Sequence, residues 1–197
     1  MTITVGGTNI TMPDSSTQAT SYIGTKSSVF TGSGTFTIPA GITALKVAVV
    51  GGGGNSGGSY PNNGSGAGGA TAFSYLTGLT SANTIAVTVG GAGGLSRIAS
   101  GTQTITTVTA NGGASGNSNF SSGGTATGGT INISGGYGNG VNGSGGGGSL
   151  FGSGGVADYG NCGGNAGKAG LGYGGGGGGS GNGTVIAGSQ GIVIFEW

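Results

Sequence analysis

Glycine occupies 57 of the 197 positions, and the longest run, Gly174 to Gly179, carries no side chain at all. Average chains hold about 7% glycine, so the first question is which backbone such a chain can adopt. Helix is nearly excluded, because each interior glycine costs roughly 1 kcal/mol relative to alanine and few windows here lack one. Collagen needs strict Gly-X-Y spacing with abundant proline, and this chain has 3 prolines. Extended backbone remains, as β-strand or as the left-handed polyproline-II helix, which has about 3 residues per turn and no internal hydrogen bonds. Side-chain-free helices of that kind can pack closely enough for buried amides to pair with neighbouring chains instead of water.

Glycine-rich chains are usually flexible linkers, and two features argue for order here. Hydrophobic residues make up 33% and sit in compact blocks. The charge that keeps disordered chains solvated is missing: Lys26, Lys46, Arg97 and Lys168 stand against Asp14, Asp158 and Glu196. Residues 2–5 and 8–12 alternate about Gly6-Gly7 and predict a small hairpin, and 24–33 read as a linker. The strongest β signal follows, at 34–39 and 45–50; the second run is nearly all apolar, as for a strand buried on both faces. Residues 70–76 and 83–89 form another pair, and 104–110 a weaker strand. Glycine dominates 111–184, with apolar islands at Phe120, 131–133, Tyr137, Leu150-Phe151, Tyr159 and Tyr173, and 191–197 close the chain as a strand. The expected fold is mainly β: a small antiparallel sheet or sandwich closed by the C-terminal strand, with packed polyglycine-II helices, projecting loops and essentially no α-helix. No fixed repeat period points to a solenoid.

The same residues bound the function. A net charge of +1 gives no basic cluster for nucleic acid, and no apolar stretch of 18 residues would insert in a membrane. The N-terminus lacks the regions of a signal peptide, and the lone Cys162 makes no internal disulfide. There is no histidine, the three carboxylates are far apart in sequence, and hydrolysis by a carboxylate pair needs separations of about 5–9 Å. Neither an enzyme nor a metal or cofactor is expected. Gly167-Lys168 followed by Ala169 lacks the hydroxyl residue of a phosphate-binding loop. The sequons at Asn9 and Asn63 are expected by chance at this composition.

Three blocks carry a resemblance: Gly34-Thr35-Phe36-Thr37-Ile38-Pro39-Ala40-Gly41 with Lys46-Val47-Ala48-Val49-Val50-Gly51-Gly52-Gly53-Gly54, Thr84-Ile85-Ala86-Val87-Thr88-Val89-Gly90-Gly91-Ala92-Gly93-Gly94, and the closing Gly191-Ile192-Val193-Ile194-Phe195-Glu196-Trp197. They resemble the glycine-rich domain at the tips of tailed-phage fibres, over about residues 28–197. Residues 12–20 look like a connecting segment of phage fibre proteins. The resemblance implies two parts, a short attachment segment at 1–27 and an adhesin-like domain at 28–197. In related adhesins of T-even-like phages, packed polyglycine-II helices carry distal loops that recognise outer-membrane proteins or surface glycans.

The function so implied is that of a virion protein, made in the host cytoplasm and carried on the particle, most simply at a tail-fibre tip. It would hold the bacterial surface non-covalently and join another virion protein, such as a fibre shaft, baseplate or capsid. Fibres are commonly trimeric, and a homotrimer is admitted, although no heptad here specifies one. The alternative is a structural virion component, a head fibre, decoration protein or fibre subunit, with the N-terminal lead as anchor and Ile3, Val5, Ile10 and Met12 as its apolar contacts. An antifreeze bundle would need a regular short Gly-X-X period, and the spacing here is irregular. For the adhesin, the receptor-binding candidates are aromatics and polar neighbours between glycine segments: Tyr60, Asn62, Tyr137, Asn139, Phe151, Asp158 and Tyr159. Such side chains offer large contact area at low entropy cost on loops carried by a scaffold. Their bland alternative is to plug gaps between glycine helices. Phe120 and Tyr173 read as packing, and Phe36, Phe73, Phe195 and Trp197 as sheet residues.

Overall fold

The structure, a computed structural model, describes residues 26–58, 64–117, 119–140, 145–156, 167–179 and 184–197, with the backbone of 4–6, 9–11 and 17–18. Three short strands open the chain, β1 Thr4–Gly6, β2 Asn9–Thr11 and β3 Thr17–Gln18, paired antiparallel in the order β1-β2-β3. The expected hairpin is present, with Val5 opposite Ile10; Ile3 and Met12 lie outside the described residues.

The main body holds two antiparallel five-stranded sheets and no α-helix among the described residues. Its strands are β4 Ser27–Phe30, β5 Gly34–Thr37, β6 Ala44–Val50, β7 Thr71–Thr77, β8 Thr84–Thr88, β9 Ser96–Ser100, β10 Val108–Ala110, β11 Ala126–Thr127, β12 Ile131–Ile133 and β13 Ile192–Glu196. One sheet has the order β12-β7-β6-β13-β4 and the other β11-β10-β9-β8-β5. Alternation sends Leu45, Val47 and Val49 of β6 and Val193 and Phe195 of β13 into a shared core with Phe36, Ile85, Val87, Ile98 and Val108 of the facing sheet. Phe195 stacks on Phe36 with ring centroids 4.0 Å apart, and the partly buried Trp197 closes that end of the core. The C-terminal strand pairs between β6 and β4, so the closure expected from the sequence is realised.

Two expectations are corrected. Part of the supposed linker is β4, an edge strand held by β13. The two expected pairs are also not formed: β5 bonds β8 rather than β6, and β7 bonds β6 rather than β8. The reason lies in the connections at 38–43 and 77–83, which cross from one sheet to the other and brace each other. Ile38 N–H donates to the Asn83 carbonyl, Ala82 N–H to Ile38 and Leu79 N–H to Thr43. Gln103 pins this end, its Oε1 accepting from Thr80 N–H at 3.0 Å and Asn83 Nδ2 at 3.2 Å.

At the other end the strands run into glycine, and the backbone there has a three-residue rhythm. Gly51, Gly54 and Gly57 donate to the carbonyls of Ala70, Ala67 and Gly64; Gly53 and Ser56 donate to Ser189 and Ile186; Gly52 donates to Gly94. Every third N–H thus meets the same neighbouring segment, as a helix with about 3 residues per turn and no internal bonds requires. Segment 64–70 lies at the centre. Ser65 and Gly68 donate to Asn139 and Gly136, Gly66 and Gly69 to Gly177 and Gly174, and Ala67 and Ala70 to Ala114 and Asn111. Its carbonyls accept from 51–57, from Gly124 and from Gly147, all at 2.8–3.0 Å. This is the polyglycine-II lattice expected from composition, and it satisfies the buried backbone that glycine would otherwise leave orphaned. Where a backbone partner is lacking, a hydroxyl takes its place: Ser56 Oγ accepts from Ile186 N–H at 2.7 Å, and Ser189 Oγ from Gly175 N–H at 2.8 Å.

Candidate functional site

Strand direction gives the molecule two unlike ends. Strands β6, β10 and β12 run out into glycine segments 51–58, 111–117 and 134–140, and segments 64–70, 121–124 and 184–190 return into β7, β11 and β13. Gly57 N–H bonds the Gly64 carbonyl, and Gly116 N–H the Asn55 carbonyl. A Cβ on Gly64 would meet the carbonyls of Asn117, Asn139 and Gly140, so three outgoing segments reach the same level. Ser65 Oγ donates to the Gly145 carbonyl at 2.9 Å, Lys168 N–H to Val156 and Gly178 N–H to Lys168. The described ends of these segments therefore lie together at the end remote from the sheets. A segment of eight residues at about 3.1 Å each places that end roughly 25 Å from the sandwich.

The opposite end carries the chain entry. Lys26 and Trp197 exchange backbone hydrogen bonds of 2.9 and 3.0 Å, beside the crossing connections. The N-terminal segment thus joins the body at the end away from the glycine reversals.

Of the candidates read from sequence, Tyr137 and Asn139 lie at or near the remote end, and both are exposed, Tyr137 by 73%. They flank Gly138, whose N–H and carbonyl both pair with Ser121 at 2.9 Å. The Asn139 backbone is fixed by Ser65, leaving its amide free to face solvent. Tyr60, Asn62, Asp158 and Tyr159 lie outside the described residues. Phe151 is placed apart from them. Its ring lies 6.1 Å from that of Phe73 on the outer face of β7, at the sheet-proximal turn where Ser149 Oγ accepts from its N–H at 3.1 Å.

Phe120 reverses an expectation. Read from sequence as packing, it is 71% exposed. Antiparallel pairing at Ser121 and Gly138 puts it beside Asn139, with Ser122 beside Tyr137. The turn before it is set by Asn119 N–H donating to Asn117 Oδ1 at 2.7 Å; that pair of asparagines was the local signal for an outward loop. The surface so formed, Asn117, Asn119, Phe120, Ser122, Tyr137 and Asn139, is aromatic, polar and uncharged. It can offer ring faces and amide or hydroxyl hydrogen bonds to a ligand. No group of three metal-ligating side chains occurs among the described residues. Glu196 is the one carboxylate among them, on the outer face of β13. Lys46 and Arg97 sit on the outer faces of opposite sheets, Lys168 in the lattice and Lys26 at the chain entry beside Trp197. Among the described residues no helix is long and apolar enough to cross a membrane.

No protein-family model matches this chain, and no curated protein matches it at a significant level.

Proposed function

We propose that the chain is a phage virion protein, a receptor-binding adhesin of the tail-fibre-tip kind, that holds the bacterial surface non-covalently and catalyses no reaction. The observation that carries this reading is polarity: the glycine segments that leave β6, β10 and β12 come together at one end, and the chain enters the body at Lys26 at the other. An adhesin needs such an arrangement, since attachment to the particle and recognition of the host must not compete for one surface. The lattice supplies a second requirement. Loops held on a backbone whose amides are already paired lose little further freedom on binding, which favours affinity. On this reading Tyr137, Asn139 and Phe120 contact the receptor, an outer-membrane protein or a surface glycan. By the same chemistry Tyr60, Asn62, Asp158 and Tyr159, which lie outside the described residues, are kept as receptor-binding candidates. The N-terminal strands, through Val5 and Ile10 with Ile3 and Met12, face the fibre or another virion component.

Binding of the purified, labelled protein to intact bacteria, in competition with phage adsorption, tests this. Saturable binding that blocks adsorption is the expected result. A folded protein that binds no host cell would leave the structural virion role as the better reading and direct the search to its place on the particle.

A further inference from the structure

The isolated antiparallel bridge between Ser121 and Gly138 arranges four side chains in a pattern that neither segment has alone. Ser121 faces inward: it is buried, and its Oγ donates to the Ser115 carbonyl at 3.1 Å. Gly138 faces inward as well, since a Cβ there would fall on the carbonyls of Ser65 and Gly66. Side chains of extended backbone alternate between faces, so Phe120, Ser122, Tyr137 and Asn139 all point outward, and all four are exposed. Phe120 stands opposite Asn139 and Ser122 opposite Tyr137. Such directly opposed pairs have Cβ atoms about 4.5–5.5 Å apart, and the two aromatic residues lie on the longer diagonal of about 7–8 Å. Each ring thus has a hydrogen-bonding side chain directly across from it. Tyr137 also stands between Gly136 and Gly138, so no side chain next to it in sequence covers its ring.

We propose that this face binds the sugar chain of a surface glycan, which names the receptor class and rests on the adhesin reading. Two properties of the face select this occupant. The first is alternation. A pyranose unit has a flat C–H face edged by hydroxyls, so its face meets an aromatic ring while its edge meets the polar side chain across the bridge. A protein contact is built instead on a water-excluded apolar core inside a polar rim, and here a polar group stands beside each ring. The second is the kind of polar group. The Asn139 amide, the Ser122 hydroxyl and the Tyr137 phenol can each donate and accept, as every sugar hydroxyl does. The backbone beneath them is fixed beforehand: Ser121 and Gly138 exchange two hydrogen bonds of 2.9 Å, Ser65 N–H holds the Asn139 carbonyl and Ala114 N–H the Ser122 carbonyl. Little freedom is then lost on binding, which matters most for a ligand held by few side chains.

Binding of the labelled full chain is measured on intact host bacteria, untreated, treated with periodate to cleave the vicinal diols of sugars, or treated with protease. It is measured also on polysaccharide extracted from the same cells and freed of protein. The expected result is loss of binding after periodate, unchanged binding after protease, and saturable binding to the extract. Phe120→Ala and Tyr137→Ala each weaken binding to the extract about tenfold or more. Tyr75→Ala, which removes an exposed ring from β7, leaves it unchanged, and unfolding midpoints show that each variant is folded. Binding that protease abolishes and periodate spares overturns the glycan and leaves the adhesin standing with a protein receptor. Binding to the extract that survives both Phe120→Ala and Tyr137→Ala overturns the assignment to this face. A folded chain that binds no untreated cell overturns the adhesin reading and this proposal together.

Discussion

An alanine Cβ at Gly66 would fall on the backbone carbonyl of Gly54, and at Gly53 on that of Gly175. Backbone cannot step aside as a side chain can, since each of these carbonyls lies within the lattice, so the strain is met by breaking lattice bonds. Gly66→Ala should lower stability by about 3 kcal/mol or more, whereas Gly91→Ala, where nothing lies within 4 Å, should shift it by no more than about 0.5 kcal/mol. Denaturant titration of the pair separates glycine required by close approach from glycine that is merely abundant. Thr71 provides the opposite case: its Oγ1 is buried with no hydrogen-bond partner. Thr71→Val keeps the shape and removes the stranded hydroxyl, and should stabilise by about 1 kcal/mol, seen as a higher unfolding midpoint. At Ala82, φ is 66°, a left-handed conformation that costs an L-residue about 1–2 kcal/mol. Part of that cost returns in Ala82→Gly, less the entropy a glycine adds to the unfolded chain, for a net gain of up to about 1 kcal/mol in the same titration.

Among the elements, β13 joins parts of the chain most distant in sequence, pairing with β6 on one side and β4 on the other. Phe195 is fully buried in it against Phe36. Phe195→Ala should cost about 3–5 kcal/mol and loosen the lattice as well as the core, because 184–190 enters that strand from the glycine end. Hydrogen exchange at Gly53 and Ser56, which donate to Ser189 and Ile186, would report the loosening. The strands at 34–37, 44–50, 71–77, 84–88 and 192–196 were legible in the sequence because alternating or continuous apolar runs state their own period. Their partners, those of the C-terminal strand apart, were not. The connections at 38–43 and 77–83 look like hairpin turns in one dimension, and only the strand pairing, with the hydrogen bonds that tie Ile38 to Ala82 and Asn83 and Leu79 to Thr43, shows that they cross between sheets. β4 went unread because Ser27 to Phe30 shows its edge role only once β13 lies beside it, and β9 because its Ser96 and Ser100 interrupt the apolar pattern.

In the whole molecule, the sandwich works as a base and the lattice as a stalk about 25 Å long, with chain entry at Lys26 at one end and the ends of the outgoing glycine segments at the other. Composition foretold the stalk, since close-packed extended glycine was the only ordered use for so many residues without side chains. It did not foretell direction. That the segments leaving β6, β10 and β12 all reach the same remote end follows from the polarity of the strands feeding them, which pairing alone reveals. For the same reason chemistry alone reads Phe120 as packing, although it is exposed, and does not separate Phe151, at the sheet-proximal turn, from Tyr137 and Asn139. The central claim is that recognition resides at the remote end, and saturation binding of Tyr137→Ala/Asn139→Ala to intact host bacteria tests it most directly. Both side chains are exposed and the lattice bonds of Asn139 are made by its backbone, so the unfolding midpoint should stay unchanged while affinity falls about tenfold or more. Unaltered binding by this folded double variant, with loss instead on Thr35→Ala/Thr109→Ala at the base, would contradict it.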